Sequence, residues 1–210
     1  MMKRPLAKKY LGLLLIAIGH LVGFLFIWTI AHELSAMQKV RFPLYFDWES
    51  RISFQPWALP IYFSFNVAVA IFPFLFKSWK EAFPPMGTLL LQTAIASPFF
   101  VLVPIELGYA NDMLTGVWGT FLYEPLGLKN GAQWNQAPSL HVCGAFTLAW
   151  CAPSLWRKWT LTWATLVAIS TMLIHEHHLI CVITGFILFL ITIKTIYPWL
   201  KIKTTHVNTK

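Results

Sequence analysis

Two short groups of residues near the ends of apolar runs carry side chains that can do chemistry. The first, residues 136–141, includes Ser139 and His141. The second, residues 175–178, reads His-Glu-His-His and includes His177. A neutral histidine can attack phosphorus, and a second histidine can give a proton to the leaving oxygen. These residue types suggest transfer of a phosphate group, provided that the fold brings the two groups together.

The elements that must position these residues are apolar runs, and a helix needs about 20 apolar residues to cross a bilayer. Six candidates are present: 10–31, 57–76, 87–105, 139–156, 160–175 and 179–199. The first run is longer than the apolar core of a cleaved signal peptide, so we expect an uncleaved span. The sequence predicts an all-α polytopic membrane bundle of six transmembrane helices, forming one domain over 1–210.

Composition agrees with the membrane class. Hydrophobic residues make up 57% of the 210 residues and charged residues 11%. A soluble domain of this size could not bury so much apolar surface, whereas a bilayer removes that limit. The net charge of +8 lies in short Lys/Arg clusters between the apolar runs. That distribution is typical of topology signals and unlike a stripe that tracks phosphates, so no nucleic-acid partner is expected.

The Lys/Arg distribution predicts the orientation in the membrane. If the N-terminus is cytoplasmic, the other basic clusters fall on the same side as the N-terminal one. These clusters are the turns at 77–80 and 157–158 and the tail from 201. Segments 32–56 and 106–137 are poorer in Lys and Arg and fall on the other side. This asymmetry predicts cytoplasmic N- and C-termini and puts His141 and His177 at the non-cytoplasmic face.

Helix direction adds to the chemistry of the two groups. The fourth and sixth runs both cross from the outer face inward, so their N-termini point outward. Each N-terminus offers unpaired N–H groups and the positive end of a helix dipole. Pro138 and Ser139 suit a helix start, with Ser139 as N-cap. Two such N-termini beside His141 and His177 predict a phosphate-binding site.

The two outer segments differ in character. Residues 37–56 mix aromatic with charged side chains, a pattern typical of a segment that lies in the membrane interface or caps the bundle. Residues 113–137 are rich in glycine and predict a loop with turns. Both segments would lie on the same side as the histidines.

Two residue patterns agree with a known family. Residues 138–141 read Pro-Ser-Leu-His after Trp134-Asn135-Gln136-Ala137, and Ser170-Thr171 is followed after five residues by His177 and after three more by Cys181. These stretches resemble the second and third signatures, P-S-x-H and S-R-x5-H-x3-D, of the type 2 phosphatidic acid phosphatase (PAP2) superfamily. The resemblance covers residues 100–190 and is nearest to its branch of inositol-phosphotransferase-like bacterial membrane phosphatases.

The resemblance implies a six-helix phosphatase fold and roles for three residues. His177 would be the nucleophile that forms a phosphohistidine, His141 the acid that protonates the leaving group, and Ser139 a donor to a phosphate oxygen. The implied reaction is hydrolysis or transfer of a phosphate group on a lipid. It would occur at the non-cytoplasmic face of the plasma (bacterial inner) membrane, without a metal or an organic cofactor.

Departures from the superfamily keep a second function open. The first signature, K-x6-R-P, should fall near 104–112, where no Lys or Arg is present. Cys181 stands where an Asp would orient His177, and Glu176 could replace that Asp only if the local helix were broken. Positive charge could come instead from loop residues, namely Arg41, Arg51 or Lys129. A protein that binds a lipid phosphate without turnover is therefore the alternative.

A third hypothesis concerns a metal ion. His177, His178 and Cys181 are three or four residues apart, and such residues share one face of a helix. Histidine and cysteine are the ligands that zinc prefers in proteins. Ordinary packing explains a buried cysteine equally well.

Overall fold

The part of the chain that the structure describes, residues 4–109 and 134–206 of a computed structural model, contains six α-helices. They are α1 (Arg4–Ala36), α2 (Leu59–Ile71), α3 (Trp79–Leu102), α4 (Leu140–Cys151), α5 (Arg157–Leu173) and α6 (Leu179–His206). Within these residues the extended pairing is limited to one isolated bridge between Phe42 and Ile105. The all-α class predicted from the sequence is confirmed.

Four segments are long and apolar enough to cross a membrane, which is consistent with a bilayer environment. They are Leu6–Ala36, Pro56–Leu75, Trp79–Leu102 and Leu179–Thr205. Helix α4 has only 12 residues. It therefore rises about 18 Å, less than the roughly 30 Å of a bilayer's apolar core. Helix α5 has 17 residues. Four spans are supported, and a count of six stays a prediction.

The helices extend beyond several of the predicted runs. Helix α1 covers Arg4–Ala36 where 10–31 was predicted, and α3 begins at Trp79 where 87 was predicted. Hydropathy marks the part of a helix that suits lipid, whereas the hydrogen-bonded backbone continues into the polar flanks. The predicted loop 113–137 lies largely outside the described residues.

Six helix ends meet at one end of the bundle, which we call the site end. Backbone hydrogen bonds of 2.8–3.0 Å join segments that are far apart in the chain. They link Phe42 to Pro104, Gln55 to Leu173 and Ser139 to Cys181. These three bonds connect six helix ends in pairs: α1 with α3, α2 with α5, and α4 with α6. Segment 37–56 takes part in these contacts, as expected for a segment that caps the bundle.

The short helix α4 lies at the centre of the bundle and the long helix α1 at its side. Most residues of α4 from Val142 to Ala149 are buried, and α4 packs against α2, α3, α5 and α6. Helix α1 packs along α3 and leaves many large apolar side chains exposed, as a lipid-facing helix does. The central position of α4 surrounds its short backbone with protein.

A polar contact ties three helices together inside the bundle. The side-chain amide nitrogen of Gln92 on α3 donates to Thr147 Oγ1 on α4 and to Thr192 Oγ1 on α6, both at 2.7 Å. All three residues are buried. Because an amide hydrogen without an acceptor is costly in an apolar interior, these bonds fix how α3, α4 and α6 pack.

Candidate functional site

Helix α4 begins at the site end with Ser139 as its N-cap, as the sequence predicts. The Ser139 hydroxyl oxygen accepts a hydrogen bond from the Val142 backbone N–H at 3.4 Å, and the backbone of Ser139 is extended. The Ser139 N–H donates to the Cys181 carbonyl on α6 at 3.0 Å. Ser139 is completely buried. These bonds fix the start of α4 against the first turn of α6.

Close approach of α6 to this helix start depends on Gly185. A Cβ atom at position 185 would lie 2.6 Å from the Ser139 carbonyl oxygen and 3.2 Å from its nitrogen. Both atoms belong to the backbone and cannot move aside as a flexible side chain can. Glycine at this position therefore permits the α4–α6 distance at which Ser139 and His141 reach residues from the start of α6.

His141 is the second residue of α4 and is held by aromatic rings from α2. Its ring stacks on Tyr62 at a centroid distance of 4.0 Å and lies 5.0 Å from Phe65. Its Nε2 atom is buried and has no hydrogen-bond partner among the described residues. The ring is therefore oriented by packing, while one nitrogen stays available to a ligand.

His177 lies in a turn between α5 and α6 whose backbone is firmly held. His175, two residues before His177, has a φ of 59°, in the left-handed region. This backbone conformation ends the helical run. The N–H groups of Glu176 and His177 donate to the Thr171 carbonyl at 3.0 and 3.1 Å. The Tyr109 hydroxyl donates to the His177 carbonyl at 3.2 Å. The main chain of His177 is thus fixed on both sides.

The ring of His177 is buried, with 3% of the residue exposed, and its Nδ1 atom has no partner among the described residues. Burial lowers the pKa of His177 to about 4, with a smaller contribution from nearby His178, and hydrogen bonding to the Gln136 carbonyl opposes part of this shift. Since Nδ1 has no partner, the ring nitrogen that donates to this carbonyl is Nε2, and Nδ1 keeps its lone pair. At neutral pH the ring is uncharged.

The rings of His141 and His177 lie close together. Their centroids are 6.3 Å apart and their planes are inclined by 55°. We call His141 and His177 the histidine pair. The structure brings together these two residues and Ser139, all three of which the sequence predicted as site residues.

A second polar group, which the sequence did not reveal, lies beside the histidine pair. Glu49 is completely buried, and its Oε2 accepts from the Leu179 N–H at 2.9 Å and bonds His178 Nδ1 at 3.0 Å. Its Oε1 accepts from the Phe46 N–H at 2.9 Å. The Gly108 N–H donates to His178 Nε2 at 3.1 Å. We call these five residues the Glu49 cap.

The contacts of His178 determine its tautomer. Because Nε2 accepts from a backbone N–H, the hydrogen is on Nδ1 and points to Glu49. The ring also stacks between Tyr45 and Tyr109, at centroid distances of 4.7 and 4.4 Å. His178 is therefore saturated on both nitrogens and both faces, in contrast to its neighbour His177.

The Glu49 cap corrects one prediction. The sequence predicted that the N-termini of α4 and α6 would both be available to a phosphate. The first N–H of α6, at Leu179, is instead bonded to the Glu49 carboxylate. An internal anion thus takes the position that the helix dipole offers to a ligand. This contact could not be predicted from the sequence, because no local motif connects residue 49 to residue 179.

The metal hypothesis is not supported. Among the described residues, no group of three or more His, Cys, Asp or Glu side chains has an arrangement that could hold a metal ion. His178 uses both ring nitrogens in the Glu49 cap. The Cys181 thiol lies 4.0 Å from the Gln136 side-chain oxygen and is completely buried. Cys181 acts as a small buried side chain under the start of α4.

Glu176 could orient His177 in place of the missing Asp only if the local helix were broken, and this condition is met. Residues 174–178 lie outside both α5 and α6, so the helix is broken there. The carboxyl group is buried, and burial raises the pKa of Glu176 to about 7. No hydrogen bond to this carboxyl group is found within the described residues. Glu176 therefore does not take the role of the missing Asp.

The predicted sources of positive charge are engaged elsewhere or exposed. Arg41 donates to the Ser35 carbonyl at 2.8 Å and stacks on the Trp134 ring at 3.9 Å. Burial lowers the pKa of Arg41, and Glu106 opposes that shift. Arg51 has an exposed side chain. Lys129 lies outside the described residues. Within the described part of the chain, the histidine pair has no close Arg or Lys contact.

The chain was compared with known proteins at three levels. It matches no protein-family model, no curated protein and no solved structure. The function is therefore inferred from the residues of the site.

Proposed function

We propose that this protein is a membrane phosphatase or phosphotransferase of the type 2 phosphatidic acid phosphatase kind, acting on a lipid phosphate. The observation that carries the proposal is the histidine pair. A buried ring, His177, and a half-buried ring, His141, have centroids 6.3 Å apart, and each has a buried nitrogen without a partner among the described residues. Unpaired buried nitrogens are unusual in a folded protein, and a pair of them suggests a ligand that accepts and donates hydrogen bonds.

In the first step the lone pair of His177 Nδ1 attacks phosphorus. The bond between phosphorus and the leaving oxygen breaks, and His141, which takes up a proton when the negatively charged phosphate binds, gives that proton to the leaving oxygen. In the second step water, or the hydroxyl group of an acceptor lipid, attacks the phosphohistidine while neutral His141 takes its proton. The P–N bond breaks, phosphate or the new ester leaves, and both histidines return to their starting states.

The start of α4 would hold the phosphate oxygens. The oxygen of Ser139 accepts from Val142, which leaves its own O–H free to donate to a phosphate oxygen. The Leu140 and His141 N–H groups are among the first N–H groups of the helix, which lack intrahelical partners. Donors at a helix N-terminus stabilise the negative charge of a phosphate. These groups act without a metal or an organic cofactor.

The proposed topology has six spans, cytoplasmic termini and the site end at the outer face of the plasma (bacterial inner) membrane. The basic turns at 77–80 and 157–158 lie at the opposite end of the helices from the histidine pair. The short helices α4 and α5 suit this topology because neighbouring helices cover their backbones. In a cysteine-free background, Trp48→Cys should react with an impermeant thiol reagent in intact cells and Trp159→Cys should not. The reverse result would contradict the topology.

A binding function without turnover has one specific observation in its favour. Phosphoryl transfer develops negative charge that Arg or Lys usually stabilises. Here the two Arg residues of segment 37–56, Arg41 and Arg51, do not contact the histidine pair, and Glu49 is a buried carboxylate nearby. A lipid phosphate could therefore bind at the pair and remain intact.

The decisive experiment measures phosphate release by the purified full-length chain in lipid nanodiscs. Substrates are a lipid phosphomonoester, a lipid diphosphate and a lipid phosphodiester, each with and without a chelator. We expect turnover of at least one substrate, unaffected by the chelator. His177→Leu should abolish it and His141→Leu should lower it by about 10²–10⁴-fold.

The matched control is His20→Leu, which changes a histidine on α1 that bonds the Met86 carbonyl away from the site end. It should leave turnover unchanged. Turnover that persists in His177→Leu would contradict the phosphohistidine mechanism. Saturable binding of a lipid phosphate by the parent, lost in His177→Leu and without any turnover, would identify the binding function instead.

A further inference from the structure

Glu49 is a buried carboxylate that the proposed reaction does not use. It comes from the segment between α1 and α2, yet its three hydrogen-bond donors lie at 46, 178 and 179. It is completely buried, and burying a carboxylate is unfavourable unless donors surround it. Because burying this carboxylate is unfavourable, we expect Glu49 to have a specific role at the place where its contacts converge.

Those contacts converge on the residues that follow His177. Glu49 Oε2 receives both the ring of His178 and the N–H of Leu179, the first two residues after His177. Tyr109, whose ring stacks on His178, donates to the His177 carbonyl. Glu49 thereby determines where the chain leaves the turn and at which angle α6 begins.

Among the described residues, the ring of His177 has no carboxylate partner. Cys181 is a neutral thiol one helical turn further on, and the Glu176 carboxyl group makes no hydrogen bond within the described residues. The position of the His177 ring relative to His141 therefore comes from its backbone and from one hydrogen bond to the Gln136 carbonyl. A displacement of about 1 Å at a reacting group can lower a rate by roughly 100-fold, so this backbone support matters.

We propose that Glu49 is a positioning residue for the histidine pair, which holds the backbone after His177 through His178 and Leu179. The inference rests on the proposed phosphoryl transfer for its kinetic consequence. Glu49 replaces, by a contact from a distant segment, the orientation that a carboxylate at position 181 would give directly.

Both carboxylate oxygens of Glu49 are needed for its hydrogen bonds. The two carboxylate oxygens accept from three N–H groups, and the His178 tautomer is fixed by Gly108. A glutamine has only one acceptor oxygen. Glu49→Gln must therefore lose either the bond to Phe46 or both bonds at 178 and 179. Glu49→Asp keeps both oxygens and shortens their reach by one methylene.

The kinetic test compares three variants of the full-length chain in nanodiscs. Glu49→Gln should lower kcat by roughly 100-fold with KM changed less than about 3-fold, since backbone support acts on alignment rather than on binding. Glu49→Asp should fall between the parent and Glu49→Gln. The matched control is Glu33→Gln, an exposed glutamate near the end of α1, which should match the parent. Helix content by circular dichroism checks that each variant is folded.

A kcat of Glu49→Gln that equals or exceeds the parent's would overturn the inference, and a higher kcat would identify segment 37–56 as a cover that Glu49 holds shut. A second measurement does not depend on turnover. In ¹⁵N-histidine-labelled protein, Glu49→Gln or Glu49→Asp should split or broaden the His177 ring resonances. His177 resonances that stay unchanged while those of His178 shift would overturn the positioning role. If the parent has no turnover, the proposed function fails, and the resonances alone decide the role of Glu49.

Discussion

His177 and His178 are adjacent in the chain and differ in almost every contact. The ring of His178 is bonded at both nitrogens and stacked on two tyrosines. The ring of His177 leaves Nδ1 without a partner among the described residues. Folded proteins satisfy nearly all buried polar atoms, so the difference separates a residue that supports the fold from one that we propose binds a ligand. His178 thus belongs to the Glu49 cap, which stabilises the fold, whereas its neighbour His177 belongs to the histidine pair.

The largest expected effect comes from exchanging each histidine for a side chain of similar size. His178→Leu leaves the Glu49 carboxylate and the Gly108 N–H without their partner, and we expect it to destabilise the protein by about 3 kcal/mol. His177→Leu removes one unpaired nitrogen and one hydrogen bond, to the Gln136 carbonyl, and should destabilise the protein by only about 1 kcal/mol. Thermal unfolding in detergent, followed by circular dichroism, measures both.

Turnover should show the opposite order. His177→Leu removes the proposed nucleophile and should be inactive while well folded. His178→Leu should keep measurable turnover at a temperature where it remains folded. Equal destabilisation by the two substitutions would remove the distinction between the cap and the pair.

A second prediction concerns the pH dependence of stability. It involves Glu176, a buried residue between α5 and α6. Burial raises its pKa from 4.5 to about 7, so between these values the folded protein holds a proton that the unfolded chain has lost. Stability from this group is full below pH 4.5 and is lost as pH rises to about 7. Glu176→Gln should therefore stabilise the protein by about 2 kcal/mol at pH 8 and little at pH 4.

The comparison for this prediction is again Glu33→Gln, an exposed glutamate at the same end of the bundle. Because this side chain is exposed, the substitution should change the unfolding temperature little at either pH. A Glu176→Gln variant less stable than the parent at pH 8 would show that the carboxylate has a partner when ionised. That outcome would make Glu176 a member of the Glu49 cap rather than a buried neutral acid.

Helix α6 and helix α1 provide a third comparison, through one glycine in each, Gly185 and Gly19. Gly185→Ala would bring a Cβ to 2.6 Å from the Ser139 carbonyl oxygen, whereas Gly19→Ala meets nothing within 4 Å. We expect Gly185→Ala to cost about 1.5 kcal/mol and to lower turnover, because α6 must move away from the start of α4. Gly19→Ala should be neutral or stabilise α1 by about 0.5 kcal/mol. Unfolding temperatures and phosphate release test both.

The smallest effect is expected at Ser139, which belongs to both structure and site. Ser139→Ala removes an N-cap and should cost about 1 kcal/mol. Ser139→Asn keeps a capping oxygen without the hydroxyl donor, so its stability should recover while its turnover stays low. Recovery of both in Ser139→Asn would show that capping is the whole role of Ser139.

Local patterns carried most of what was predictable from the sequence. The apolar runs indicated the six helices, and the residues around Ser139 indicated an N-cap, because hydropathy and capping act over a few residues. Glu49 could not be found this way, since its partner His178 is 129 residues away and no spacing rule joins them. For the same reason the sequence assigned the N-terminus of α6 to a ligand. Contacts between distant segments decide which polar groups remain free.

The Gln92 contact has a consequence for the order in which the chain is made. Helix α3 is synthesised before its second partner, Thr192 on α6. Before α6 enters the membrane, one amide hydrogen of Gln92 can bond Thr147 on α4. The other amide hydrogen still lacks its acceptor, Thr192. The partly made bundle is therefore an insertion intermediate with an unmet polar group at its centre. A chain truncated before α6 should be recognised and degraded by membrane proteases faster than the full chain, and Gln92→Leu should reduce that difference.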